Sequence, residues 1–130
     1  MSAWREEASN RLPEIQSIIA SRDVESPMML WIELQIKFQS LCKQNPPPID
    51  LIQRMWDYAL WCMTKGNEDV RTAAALGLCE HLIDTKASRQ MLPKIMERKL
   101  FEGFKDLLLY HNSEEEYEVA LKLFKPVKTK

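Results

Sequence analysis

Glycine is scarce in this chain, with three among 130 residues. Leucine, methionine, alanine, glutamate and lysine are abundant, and these residues favour helix over sheet. The composition therefore predicts an all-α protein. A chain of this length is typical of one domain and is long enough to bury a sizeable core.

Net charge is also nearly absent. Lysine and arginine total 18, aspartate and glutamate total 19, and the formal net charge is -1. Because nucleic acids and anionic membranes attract proteins through an excess of positive charge, the composition indicates neither as a partner. No apolar run approaches the roughly 20 residues of a membrane span, and the polar start MSAWREEASN lacks the apolar centre of a signal peptide.

The three cysteines, Cys42, Cys62 and Cys79, form no CxxC pair, and each falls on an apolar face of a predicted helix. An odd number with this placement favours free buried thiols in a reducing compartment over a disulfide framework. We therefore expect a cytoplasmic protein.

Catalytic signatures are missing as well. The sequence has no glycine-rich phosphate loop, no G-x-S-x-G and no H-E-x-x-H. Neighbouring carboxylates occur at 6–7 and 114–116, but they have no apolar surroundings that would raise a pKa. An enzyme is not excluded, since a site can be assembled from distant residues, but no catalytic residues are identified and no cofactor is expected.

The two histidines do not indicate a metal site. His81 follows Cys79 and Glu80, but adjacent residues on a helix point in different directions. A buried or rim histidine with one hydrogen bond is the simpler interpretation. His111 stands at a predicted helix end, where a capping role is favoured.

The most apolar stretch, 67–84, predicts the central helix. Asn67 can cap its start, and apolar residues then fall on nearly every side, which is typical of an interior helix. Ala73, Ala74 and Gly77 are small enough to let a neighbouring backbone come close. Gly66 suits a left-handed residue that closes the preceding helix.

Six to seven helices are predicted in total. Residues 1–8 and 125–130 are expected to be loosely held, and the other predicted helices span 10–21, 27–44, 48–65, 87–98, 100–110 and 114–124. The helix at 27–44 carries a wide apolar stripe and a narrow one formed by Met29, Ile32 and Ile36. Two stripes predict neighbours on two sides.

The helix at 48–65 has a polar arc in which Trp61 is out of place. Arg54, Asp57, Trp61 and Lys65 lie on consecutive turns of this face. The Trp61 ring either packs on a neighbouring segment, such as the one around Trp4, or contacts a partner. Tryptophan beside arginine and aspartate is the composition of interface hot spots.

The pattern N-x-D-V-R-x-A-A-x-x-x-L at 67–78 resembles the inner helix of a HEAT or armadillo-type repeat. The resemblance covers one repeat, residues 49–84, and implies a short right-handed α-α superhelix. No second copy of the motif is evident, and an irregular helical bundle is the alternative. The C-terminal part loosely resembles small all-α bacterial proteins of unknown function.

These features favour a non-catalytic protein-protein interaction module, either an adaptor or a bacterial immunity-type protein. Its partner would be a protein that contacts Arg54, Asp57, Trp61 and Lys65 on the helix pair. The alternative is a small-molecule-binding protein or enzyme with a pocket near His81, Cys79 and Trp56. A third hypothesis is a homodimer built through the Trp61 face.

Overall fold

The computed structural model describes residues 2–124, and every regular element in that range is helical. Nine α-helices occur there, with two short 3-10 helices called η1 and η2. They are α1 (Ala3–Arg11), η1 (Pro13–Ile15), α2 (Gln16–Ile19), α3 (Pro27–Cys42), α4 (Ile49–Lys65), α5 (Glu68–Gly77), η2 (Cys79–His81), α6 (Lys86–Ile95), α7 (Arg98–Glu102), α8 (Lys105–Leu108) and α9 (Glu114–Leu121). The all-α prediction is confirmed. The predicted tail at 125–130 lies outside the described residues.

The helix count exceeds the prediction partly because the N-terminal segment folds differently. Residues 3–11 form α1 instead of a loose start, and Ala8 and Leu12 are fully buried. The helix predicted at 10–21 is interrupted at Leu12, whose φ of -128° and ψ of 57° are not helical. Pro13 explains the break, because a proline disfavours the helical conformation of the residue before it.

The predicted helix at 67–84 is also interrupted. Asn67 caps it as expected, with its side-chain oxygen accepting a hydrogen bond from the Val70 N–H at 3.0 Å. However, α5 ends at Gly77, and η2 follows from Cys79. Leu82 and Ile83, in the turn that follows η2, are both fully buried.

Gly66 plays a different part from the one predicted. Its φ of -76° and ψ of 160° are extended, so no left-handed conformation is required. A Cβ at this position would lie 2.5 Å from the Cys62 carbonyl oxygen and 2.5 Å from the Val70 Cγ1. The glycine is therefore needed for the close approach between the end of α4 and the start of α5.

The core is centred on α3, α4 and α5, which pack against one another. Trp31 of α3 stacks on Tyr58 of α4 with ring centroids 5.4 Å apart. Gly77 of α5 meets the same tryptophan, because a Cβ there would lie 2.5 Å from the Trp31 Cβ. The small residues of α5 thus permit a close helix contact, as predicted.

The outer helices are attached by specific contacts. The Tyr58 hydroxyl donates to the Trp4 carbonyl oxygen at 2.8 Å, which joins α1 to α4. The Phe101 ring of α7 stacks on Tyr117 of α9 at 5.4 Å. The α4 and α5 helices pack as a pair, but the superhelical arrangement implied by the HEAT resemblance is not confirmed. Among residues 2–124, no helix has both the length and the apolar character needed to cross a bilayer.

Candidate functional site

Arg54, the first of the predicted contact residues, is engaged inside the domain. Its Nη1 donates to the Glu14 Oε1 at 2.8 Å and to the Arg11 carbonyl oxygen at 2.8 Å. Its Nε donates to the Asp50 Oδ2 at 3.0 Å. These bonds attach α4 to the turn that follows α1.

The other three predicted residues differ in exposure. The Asp57 carboxylate accepts a hydrogen bond from the Gln53 Nε2 at 3.1 Å. Trp61 is partly buried against the core, with its ring stacked on Tyr58 at 6.1 Å. Lys65 is exposed. A contact role for these residues remains a prediction.

The ion pair between Arg54 and Glu14 predicts that the stability of the domain depends on pH. The hydrogen bond from Arg54 lowers the pKa of Glu14 from its usual 4.5 to about 2. In the unfolded chain this carboxyl binds its proton at a higher pH, so the pair contributes stability above pH 4.5 that is lost as the pH falls towards 2. We expect Glu14→Gln to be less stable than wild type at neutral pH, and the difference to vanish towards pH 2.

Urea unfolding measured across this pH range tests the prediction. Arg54→Gln serves as the matched variant, because it removes the cause of the low pKa and should flatten the same pH dependence. A difference between wild type and Glu14→Gln that stays constant with pH would contradict the ion pair.

The most exposed apolar surface on α3 is its narrow stripe. The exposed fractions are 40% for Met29, 50% for Ile32 and 58% for Ile36. The prediction that a neighbouring segment covers this stripe is therefore wrong for residues 2–124, in which only the wide stripe is buried. We call the surface formed by Met29, Ile32 and Ile36 the α3 face.

A groove of about 400 Å³ lies between α3, where Met29 and Ile32 line it, and α2 with the segment that follows α2. Ile18 and Val24 contribute apolar surface to it, and the charged residues that line it, Asp23 and Glu33, are both acidic. The groove therefore combines an apolar floor with negative charge at its edges.

The start of α3 sets the orientation of this face. The Ser26 hydroxyl accepts a hydrogen bond from the Met29 N–H at 3.2 Å, and Pro27 stands at the first helical position. With the start fixed, Leu30 and Trp31 turn into the core, and Ile32 turns outward. The spacing revealed this stripe in the sequence, but spacing alone does not show whether a neighbour covers it.

The alternative hypothesis places a pocket near His81, Cys79 and Trp56, but two of these residues are buried from solvent. Cys79 is fully buried, and burial raises the pKa of its thiol to about 12. The protonated thiol is a poor nucleophile and a poor metal ligand at neutral pH. Trp56 is 1% exposed and packs edge-on against Phe104.

His81 instead belongs to a cluster with Asp84 and His111. The His81 Nδ1 lies 2.6 Å from the Asp84 Oδ2, and the His111 Nε2 lies 3.8 Å from the same oxygen. The two imidazole rings are 4.7 Å apart at an angle of 69°. This cluster was not predicted from the sequence, because His111 is far from His81 along the chain and no local motif links them.

Comparison with known proteins identifies a family but no described relative. Neither a curated protein nor a solved structure gives a significant match to the chain. A family model described as a domain of unknown function (DUF7674) matches residues 5–125. The match spans most of the chain, which therefore belongs to the DUF7674 family.

Proposed function

We propose that this domain is a non-catalytic protein-binding module that holds its partner on the α3 face. An adaptor and a bacterial immunity-type protein are both modules of this kind. The partner segment is an amphipathic helix whose apolar side chains enter the groove beside Met29 and Ile32. Basic residues flank those side chains, because Asp23 and Glu33 line the groove.

One observation carries the proposal: three aliphatic side chains in a row on one helix are each 40% or more exposed. Contiguous apolar surface on a folded domain often marks an interaction site. Full burial of an aliphatic side chain stabilises a complex by about 1.5–3 kcal/mol, so covering three half-exposed ones supplies about 2–4 kcal/mol.

The α4 and α5 pair serves as the support for this face. Close packing of α5 on Trp31 fixes α3 from behind, in the way that the inner helix of a HEAT-like pair supports its neighbour. In the short superhelix that the HEAT resemblance implies, α3 would lie along one side of the α4 and α5 pair. The predicted α4 contacts, Arg54, Asp57, Trp61 and Lys65, form the rival surface for the partner.

Partner capture with surface variants tests the proposal. We expect a protein captured from the native host by the wild-type domain to be lost with Ile32→Asp, because a buried unpaired carboxylate strongly disfavours binding. Glu33→Lys should weaken capture as well, because it reverses the charge of the groove edge. Val119→Asp is the matched control, since Val119 is 51% exposed on α9 and does not line the groove.

The captured protein should then contain a basic amphipathic segment, and a synthetic peptide of that segment should bind wild type and not Ile32→Asp. If Ile32→Asp still captured the partner and Trp61→Ala did not, the binding site would lie on α4 instead of α3. Sedimentation showing that wild type dimerises and that Ile32→Asp does not would identify the α3 face as a self-interface, which contradicts the proposal of a separate partner.

A further inference from the structure

We propose that His81, Asp84 and His111 form a binding site for a divalent transition-metal ion, with zinc as the best fit. This site is separate from the α3 face and does not depend on partner binding. It joins two segments of the chain that local sequence patterns do not connect.

The distances suit a shared ion. One ligand atom from each of the three residues lies within 4.8 Å of the others. Zinc binds imidazole nitrogen and carboxylate oxygen at about 2.0–2.2 Å, so neighbouring ligand atoms in a tetrahedral site are about 3.3 Å apart. The separations of 2.6 Å and 3.8 Å from the Asp84 Oδ2 bracket that value, and small side-chain rotations would equalise them.

A hydrogen bond accounts for only part of the cluster. At 2.6 Å the His81 Nδ1 and the Asp84 Oδ2 can share a proton. The His111 Nε2 is 3.8 Å from the same oxygen, which is beyond hydrogen-bond distance. A metal ion at this place would use the second imidazole nitrogen together with the carboxylate.

The backbone under the cluster is well anchored. The Asn112 Nδ2 donates to the Glu80 carbonyl oxygen at 3.3 Å and to the Leu108 carbonyl oxygen at 3.0 Å, which holds the turn carrying His111 against η2. Leu82 and Ile83, between the other two ligands, are fully buried. A site held in place before the ion arrives loses less conformational entropy on binding.

The Gln39 side chain adds a further anchor. Its Nε2 donates to the His81 carbonyl oxygen at 3.1 Å, and its Oε1 accepts from the Thr85 hydroxyl at 2.8 Å. These bonds bracket the turn that carries His81 and Asp84. The positions of both ligands are therefore fixed by contacts with α3.

The donor types select the ion. Two imidazole nitrogens and one carboxylate oxygen suit zinc and its first-row neighbours, whereas magnesium and calcium prefer sites made of oxygen atoms. Three protein ligands leave a fourth position for water or for a group from another molecule. The side chains are 31% exposed at His81, 24% at Asp84 and 51% at His111, so an ion reaches them from solvent.

Zinc titration of the tag-free full chain by calorimetry tests the site. We expect one equivalent to bind, an upward shift of the melting temperature, and visible absorption bands of four-coordinate cobalt when Co²⁺ replaces zinc. Loss of a partner that only orients a ligand typically weakens metal binding about 10–100-fold, so His111→Ala and Asp84→Asn should each lower zinc affinity at least as much.

Asp106→Asn is the matched control, because Asp106 is an exposed aspartate on the neighbouring helix α8 and is not part of the cluster. Its zinc affinity should equal that of wild type. Circular dichroism without metal confirms that each variant is folded. Absence of one-equivalent zinc binding overturns the proposal, and so does binding that both His111→Ala and Asp84→Asn retain.

Discussion

Trp31→Ala should lower the free energy of unfolding by about 3–5 kcal/mol, the usual cost of removing a large buried aromatic side chain. Trp31 is 1% exposed, and its ring stacks on Tyr58 at 5.4 Å. Gly77 packs against its Cβ from the other side. The ring therefore joins α3, α4 and α5. Side chains from all three helices would have to move to fill the cavity that Trp31→Ala leaves. Urea denaturation followed by circular dichroism measures the loss.

Ile32→Ala is the control for this prediction, because the two residues are adjacent on α3. Ile32 is 50% exposed, and a surface substitution of this kind changes stability by about 0.5 kcal/mol or less. A loss for Ile32→Ala as large as the one expected for Trp31→Ala would mean that the α3 face is covered in solution. Sedimentation would then show whether a second copy covers it.

Local signals predicted the helix starts well. Ser113 forms a capping box at the start of the helix predicted at 114–124, with its hydroxyl accepting from the Glu116 N–H at 3.0 Å and the Glu116 carboxylate accepting from the Ser113 N–H at 2.8 Å. Asn67 and Ser26 also cap α5 and α3, each by accepting one hydrogen bond from the backbone N–H three residues on. These signals are readable because a cap depends on residues within one turn of each other.

Helix ends and interruptions were harder to predict. The break at Leu12 has a local cause in Pro13, but proline is also tolerated in a first helical turn, so the sequence permitted both outcomes. The break after Gly77 has no proline to signal it, and the residues beyond it, including Leu82 and Ile83, are buried in the core. Tertiary packing overrode the local pattern there.

For both candidate sites, the sequence pattern and the fold supply different information. The residues of the α3 face were visible in the sequence as a stripe, but whether a stripe is covered depends on helices elsewhere in the chain. The cluster of His81, Asp84 and His111 needs the turn after α8 to return to η2, and that contact is held by Asn112. Spacing along one helix therefore predicts which residues share a side, and the fold decides what that side meets.

Gly77→Ala should lower the free energy of unfolding by about 1–3 kcal/mol, the usual cost of overpacking a core. The new Cβ would lie 2.5 Å from the Trp31 Cβ, whereas nonbonded carbon atoms normally rest about 3.5–4.0 Å apart. A Cβ moves only with its own backbone, so no side-chain rotation relieves the contact, and α3 and α5 must separate. Alanine favours helix over glycine by about 1 kcal/mol at most, and the gain is smaller here because Gly77 is the last residue of α5.

Gly103→Ala is the matched control. Gly103 is exposed, its φ of -64° suits any residue, and a new Cβ would come no closer than 3.2 Å to its nearest neighbour, the Leu100 carbonyl oxygen. Its change in stability should be about 0.5 kcal/mol or less. If Gly77→Ala were as stable as wild type, the close contact between α3 and α5 would be wrong. The support that α5 is proposed to give the α3 face would then be wrong as well.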